Sequence, residues 1–308
     1  MKQPANVGSI HIIESLIEKG HASKTGARLR DVLEPLAAET SPIITVHFHR
    51  PHGKHDLLEC LKGILSQSLA ENRVPMLHLE THGAVPIPGE RTSRGLIVES
   101  EELLTWRELV PILTSINEAS RLNLVVFTAA CYGADLATVI QPLDRAPVRL
   151  IFGPKSELSI QDVEKATTTF YRELFATRNL NAALSATNGT LNPGEMTCWG
   201  LSAEYLFVEI LRAHYRKESE QSDADITRRV DAAIDRMHVP PGSAPIARGP
   251  MAGVLRVRLL DPNWVFEEAY NRFFFLDTQP DNAERFKISL GDCLPTPPAS
   301  PNVRPKHL

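Results

Sequence analysis

The chain has 308 residues, of which 43% are hydrophobic, and its 33 basic and 37 acidic residues give a formal net charge of -4. This length and composition can fill the core of one large α/β domain or of two small ones. No run of like charges is long enough to form a nucleic-acid or membrane patch, so we expect neither as a partner. The four cysteines lie far apart without a CxxC pair, which disfavours a zinc ribbon or a disulfide framework and favours a reducing compartment.

The beginning of the chain, MKQPANVGSIHIIESLIEKG, does not have the basic start and unbroken apolar stretch of a signal peptide. Nowhere does the sequence contain a run of about 18 apolar residues, the length that crosses a bilayer. We therefore expect a soluble, cytoplasmic protein.

Apolar runs rich in β-branched residues alternate with amphipathic stretches through the first 180 residues. This alternation predicts an α/β fold, a three-layer sandwich in which helices cover both faces of a mainly parallel sheet. A glycine-bearing segment, 89–100, is typical of a hairpin. The predicted strands are 8–16, 41–50, 74–83, 123–132 and 147–153, and the predicted helices are 24–39, 54–73, 105–120, 134–141 and 159–177.

The second part of the chain has a different pattern. Residues 182–236 read as helical, and the proline- and glycine-rich segment 238–253 reads as a long loop. The aromatic segment 270–277 is expected to pack in the core. Residues 291–308 contain many prolines and little to bury, which predicts a disordered tail.

Two strands end in residues that suit nucleophilic catalysis. The strand in MLHLETHGAV ends at His82-Gly83, and the strand in NLVVFTAACYGADL leads to Cys131 with a glycine close behind. A thiolate is a good nucleophile, and a nearby imidazole can take the proton of the thiol. Because parallel strands present their carboxyl ends at one edge of the sheet, we expect the two groups to meet there. The backbone N–H groups of Gly83 and Cys131 are then candidates to hold an oxyanion.

The elements HLETHG and VFTAACYG resemble the His-Gly and Ala-Cys motifs of the caspase-like cysteine peptidases (clan CD), which include bacterial caspase and CHAT-type proteins. His82 precedes Cys131 by 49 residues, close to the separation of about 50 that is typical of caspases. The resemblance covers about residues 9–188. It implies one peptidase domain over residues 1–290, with a core at about 9–188 and a helical part at about 182–290.

The same resemblance implies a cysteine endopeptidase that acts on a protein or peptide without a metal or organic cofactor. It also implies a role in regulated defence or cell-death proteolysis, with an activating partner protein. Two departures matter: the caspase signature is Gln-Ala-Cys followed by arginine, glutamine or glycine and then glycine, whereas this chain has Ala129 in place of glutamine and Tyr132 after the cysteine. The caspase preference for aspartate before the scissile bond is therefore not carried over.

Other residues near the two motifs are candidates for supporting roles. Glu80 shares a strand face with His82 and is a candidate to orient the imidazole. Tyr132 adjoins the nucleophile. Glu157 and Asp162 follow the next strand, where they could favour a basic substrate side chain, although a helix N-terminus also attracts acidic residues.

Two alternatives stay open. A catalytically silent caspase-like module would bind partners without cleaving them, although such a module has no reason to keep both His82 and Cys131. A metal-dependent hydrolase would use the cluster HFHRPHGKH, in which His47 and His49 point to one side of a strand and form a pair that can bind zinc.

Overall fold

The computed structural model describes residues 7–17, 24–84, 94–191, 197–235 and 247–295. Its strands are β1 Ser9–Ser15, β2 Thr45–His49, β3 Pro75–Gly83, β4 Gly95–Ile97, β5 Leu103–Thr105, β6 Val125–Ala129, β7 Leu150–Pro154 and β8 Cys198–Ser202. Its helices are α1 Thr25–Ala38, α2 Lys54–Glu71, α3 Trp106–Ala119, α4 Ile160–Thr177, α5 Leu180–Leu191, α6 Ala203–Ser219, α7 Asp223–Asp235, α8 Arg248–Leu260, α9 Pro262–Phe273, α10 Asn282–Arg285 and α11 Leu290–Cys293. A 3-10 helix occupies Gly133–Val139.

The central sheet has the strand order β2-β1-β3-β6-β7-β8. The first five strands run parallel, and β8 pairs antiparallel with β7 at the edge. A small hairpin of β4 and β5 extends from the carboxyl end of β3. The parallel strands therefore share one rim, which is formed by their carboxyl ends.

Helices cover both faces of this sheet. On one face, buried side chains of β1, β3 and β6 pack with α2, α3, α6 and α9 in the larger hydrophobic cluster. On the other face, β1, β3, β6 and β7 pack with α1, α4 and α5 in a second cluster. This arrangement confirms the predicted fold class, a three-layer α/β sandwich with a mainly parallel sheet. None of the helices in the described ranges is both long and apolar enough to cross a membrane.

Two predictions on secondary structure were wrong. Residues 198–202 form the edge strand β8, although the sequence read as helical from 182 to 236. This strand is too short to show a clear alternation of apolar and polar residues. Its pairing with β7 is a long-range contact, which no local sequence pattern shows. The predicted helix at 134–141 is a 3-10 helix over Gly133–Val139.

The C-terminal boundaries also differ from those predicted. The helix α8 begins at Arg248, within the segment 238–253 that was read as a loop; residues 236–246 lie outside the described ranges. The predicted tail begins too early, because α11 extends to Cys293 and buries that side chain against the core. Residues 296–308 of the predicted tail are not among those described.

Candidate active site

The carboxyl ends of β3 and β6 lie side by side at the shared rim. In the register of the two strands, Glu80 faces Ala129. The chain leaves β6 after Ala129 and passes over the end of β3: a methyl group built on Gly83 would lie 1.8 Å from the carbonyl oxygen of Cys131 and 3.0 Å from its Cα. Only glycine fits so close to another backbone. The segment that carries His82 is therefore in direct contact with the segment that carries Cys131.

A tight turn carries Cys131 out of β6. The amide of Gly133 donates a hydrogen bond of 3.0 Å to the carbonyl of Ala130. Between them, Tyr132 has φ 58°, in the left-handed region that few residues other than glycine adopt. A Cβ atom on Gly133 would lie 2.0 Å from the Oγ1 of Thr128. The turn thus packs directly on the strand, and this contact fixes the backbone at Cys131.

The amide of Gly83 faces β6. In the antiparallel pair of β3 and β4, Gly83 lies opposite Leu96. The next residue, Ala84, donates its amide to the carbonyl of Gly95 at 3.0 Å. In an antiparallel pair, alternate residues direct their amides to the same neighbour, so the amide of Gly83 points away from β4. Because Glu99, just beyond β4, donates to the hydroxyl of Ser15 at 3.0 Å, β4 lies on the β1 side of β3. The amide of Gly83 therefore points to the side of β6.

The other three thiols are poorly suited to nucleophilic attack. Burial raises the pKa of Cys60, Cys198 and Cys293 to about 11. These groups stay protonated at neutral pH, and two of them are fully enclosed in the core. Cys131 is half-buried at the rim.

Glu80 has partners other than His82. Its side chain is 1% exposed, whereas that of His82 is exposed to solvent. The hydroxyl of Thr25 donates to the Oε2 of Glu80 at 2.5 Å, and the Nε2 of His78 lies 3.2 Å from its Oε1. Each carboxylate oxygen is thus bonded within the layer between the sheet and α1, which does not favour the predicted direct contact with the imidazole of His82.

The remaining candidate residues lie around the same rim. Asp162 belongs to the start of α4, where its carboxylate accepts a 2.7 Å bond from the hydroxyl of Ser159 and its amide donates back to that hydroxyl. This N-cap accounts for the acidic side chain at Asp162. Glu157 is exposed in the segment that connects β7 with α4. A role in a substrate pocket stays a prediction for Glu157, Asp162 and Tyr132.

The histidines of β2 form a stack with a histidine that the sequence reading passed over. The ring of His11, on β1, lies 4.7 Å from that of His47 and 5.4 Å from that of His49. Its Nδ1 faces the Nε2 of His49 at 3.2 Å, and its Nε2 faces the hydroxyl of Ser9 at 3.1 Å. A metal site needs several nitrogen lone pairs aimed at one point. Over the described ranges, no group of three or more histidine, cysteine, aspartate or glutamate side chains could hold a metal ion. The stack therefore does not fit the metal-dependent alternative.

This stack is expected to make the fold sensitive to acid. Burial, together with the neighbouring His47 and His49, lowers the pKa of His11 from 6.5 to about 3. The folded state then binds fewer protons than the unfolded state between these two pH values, so stability is complete above pH 6.5 and falls as the pH decreases toward 3. His11→Gln should flatten this dependence by several kcal/mol, as measured by urea unfolding from pH 7.5 to 4. The exposed His55 provides the control: if His55→Gln flattened the dependence equally, the assignment to His11 would be wrong.

A second buried acid lies next to Glu80. In the sheet register, Glu14 of β1 faces Glu80 of β3, and its Oε2 accepts a 3.0 Å bond from the amide of Ala27. The two carboxylates hold the N-terminus of α1, whose dipole favours negative charge. Neither Glu14 nor the contacts of Thr25 with Glu80 could be inferred from the sequence, because nothing in it shows which helix covers this face of the sheet.

The close fit of α1 on this acidic pair reverses the usual effect of a glycine substitution. Alanine normally stabilises a helix by about 1 kcal/mol relative to glycine. A Cβ on Gly26, however, would lie 2.9 Å from the Oε2 of Glu14 and 3.0 Å from that of Glu80. Gly26→Ala is therefore expected to lower the free energy of unfolding by about 1–3 kcal/mol. Gly63→Ala in α2, where a Cβ meets nothing within 4 Å, should raise it. Equal effects in urea unfolding would contradict this packing.

Comparisons with known proteins found similar solved structures but no matching family model or curated sequence. Among solved structures, a similar chain is a secreted C11 cysteine protease from Bacteroides thetaiotaomicron, in complex with an irreversible peptide inhibitor. The two chains are 8% identical with a TM-score of 0.42, over 68% of this chain and 71% of that chain.

Proposed function

We propose that this protein is a caspase-like cysteine endopeptidase, of the bacterial caspase or CHAT type, in which Cys131 and His82 form the catalytic dyad. The observation that supports this most is the contact between the backbones of Gly83 and Cys131 at the rim. It brings together, from β3 and β6, the two segments that carry an imidazole and a thiol. The pairing of β3 with β4, in which the amide of Gly83 points away from β4, also supports the proposal.

The proposed reaction uses these groups in two steps. The sulfur of Cys131 attacks the peptide carbonyl carbon while the imidazole of His82 takes the thiol proton, and the carbonyl oxygen becomes an oxyanion. The amides of Gly83 and Cys131 donate hydrogen bonds to that oxyanion. Collapse of the tetrahedral intermediate breaks the C–N bond of the substrate, and the imidazolium of His82 gives its proton to the leaving amine. In the second step, His82 takes a proton from water, the resulting hydroxide attacks the thioester, and the acid and the free thiol are released.

The proposal includes the partners of this chemistry. The substrate is a protein or peptide, and the resemblance of the motifs supports an activating partner protein and a role in a defence or cell-death pathway. The spacing of the cysteines supports a cytoplasmic location. The reaction as written needs only side chains and amides of this chain.

A labelling experiment tests the assignment of the nucleophile. The native protein is treated with a panel of peptides that carry a chloromethyl ketone, and the modified cysteine is located by mass spectrometry of peptide fragments. We expect modification at Cys131, slowed at least about tenfold in His82→Ala because general-base assistance is lost. Labelling that occurs only at Cys60, or labelling of Cys131 at the same rate in His82→Ala, would contradict the dyad.

A further inference from the structure

The buried carboxylate of Glu80 lies beneath the candidate dyad. Glu80 and His82 are two residues apart on β3, so their side chains leave the same face of the sheet, about 7 Å apart along the strand. Glu80 is 1% exposed. A charge in such a position is screened by water far less than a charge at the surface. Its field therefore acts on the imidazole across this distance.

A chain of hydrogen bonds fixes this carboxylate. The hydroxyl of Thr25 on α1 donates to one oxygen at 2.5 Å, and the Nε2 of His78 lies 3.2 Å from the other. The Nδ1 of His78 lies 3.1 Å from the hydroxyl of Tyr171 on α4. Burial, and secondly the charge of Glu80, raise the pKa of Tyr171 well above its usual value. Tyr171 therefore stays protonated, and its hydroxyl and the imidazole of His78 connect α4 with the carboxylate of Glu80.

Other titratable groups lie next to these hydrogen-bonded side chains. Glu14 faces Glu80 from β1, and its pKa is raised, chiefly by burial; Glu80 also raises it, while the bond from Ala27 and the cations Arg50 and Arg28 lower it. Among the described residues, the titratable groups in these contacts are thus Glu14 on β1, His78 on β3 and Tyr171 on α4.

We propose that Glu80 is a positioning residue for the dyad: its fixed negative charge favours the protonated imidazole of His82 and thereby the thiolate of Cys131. This inference rests on the proposed function. In this inference, the carboxylate of Glu80 acts on the imidazole of His82 through its electric field and needs no direct contact. Thr25 and His78 contact the two carboxylate oxygens, and Tyr171 contacts His78, so these three side chains keep the carboxylate in place.

The test compares two isosteric variants in adjacent strands. The rate at which iodoacetamide alkylates Cys131 is measured from pH 5 to 9 in the wild type, in Glu80→Gln and in Glu14→Gln. Removal of the charge at Glu80 should shift the midpoint of this profile to higher pH by about one unit, which corresponds to about a tenfold slower alkylation near neutral pH. Glu14→Gln, which makes the same change of side chain on the neighbouring strand β1, should shift it much less.

Three outcomes decide the inference. If Cys131 is alkylated in a manner that depends on His82 and the Glu80→Gln profile equals that of the wild type, the inference is wrong while the proposed function stands. If alkylation of Cys131 does not depend on His82, the proposed function itself is wrong. If Glu80→Gln does not fold, Tyr171→Phe decides instead, because it removes only the hydroxyl that contacts His78. A shift of the alkylation profile in the same direction supports the role of Glu80, and an unchanged profile overturns it.

Discussion

Cys131→Ala is expected to lower kcat/KM for peptide hydrolysis by at least about a thousandfold, because the methyl group of alanine cannot attack a carbonyl carbon as the proposed thiol nucleophile does. A library of fluorogenic peptides provides the substrates for both proteins. The residual rate should be that of the solution reaction assisted only by binding.

The matched control for this variant is Cys60→Ala. Cys60 lies on α2, and burial raises the pKa of its thiol to about 11. Its removal should leave the hydrolysis rate unchanged. If Cys131→Ala cleaved the library as fast as the wild type, or if Cys60→Ala lost the activity, the assignment of the nucleophile would be wrong.

Gly83→Ala is expected to have the second largest effect. The added methyl group would overlap the carbonyl oxygen of Cys131 at 1.8 Å, and a backbone atom cannot move aside as a side chain can. We expect the free energy of unfolding to fall by about 3 kcal/mol. Because displacement of reacting groups by about 1 Å costs roughly a hundredfold in rate, labelling of Cys131 by a peptide electrophile should slow by at least that factor.

Gly189→Ala is the control for this glycine. In α5, a Cβ on Gly189 would meet nothing within 4 Å, so this variant should be at least as stable as the wild type and equally reactive. A Gly83→Ala protein with wild-type stability and wild-type labelling would show that the two backbones are not in contact.

The elements of the parallel sheet were predictable because their burial leaves a direct mark on the sequence. The strands β1, β3 and β6 are buried on both faces, so their apolar residues do not alternate with exposed polar ones, although β1 and β3 also bury polar side chains such as His78 and Glu80. The helix α3 has a capping box in which Thr105 and Glu108 exchange hydrogen bonds at its start, and it continues through Pro111 to Ala119. The strand β8 was missed because it is short and its position depends on pairing with β7, which no local pattern shows.

The site shows the same division between local and long-range information. The sequence showed that His82 and Cys131 lie at the carboxyl ends of strands. Parallel pairing of those strands then places both residues at a common rim. The contact of Gly83 with Cys131 required the turn at Tyr132, whose left-handed backbone has no sequence signature there. The contact of Glu80 with Thr25 on α1, and that of its neighbour His78 with Tyr171 on α4, join parts of the chain that are far apart in sequence. For that reason the sequence offered Glu80 as a candidate to orient the imidazole.

A crystal structure of the protein modified by a peptide chloromethyl ketone tests the dyad most directly. We predict a bond from the sulfur of Cys131 to the inhibitor, an imidazole nitrogen of His82 within about 4 Å of that sulfur, and the former carbonyl oxygen about 3 Å from the amide of Gly83. An adduct in which the imidazole lies on the opposite side of the sheet, or in which the oxygen points away from Gly83, would contradict the proposed mechanism.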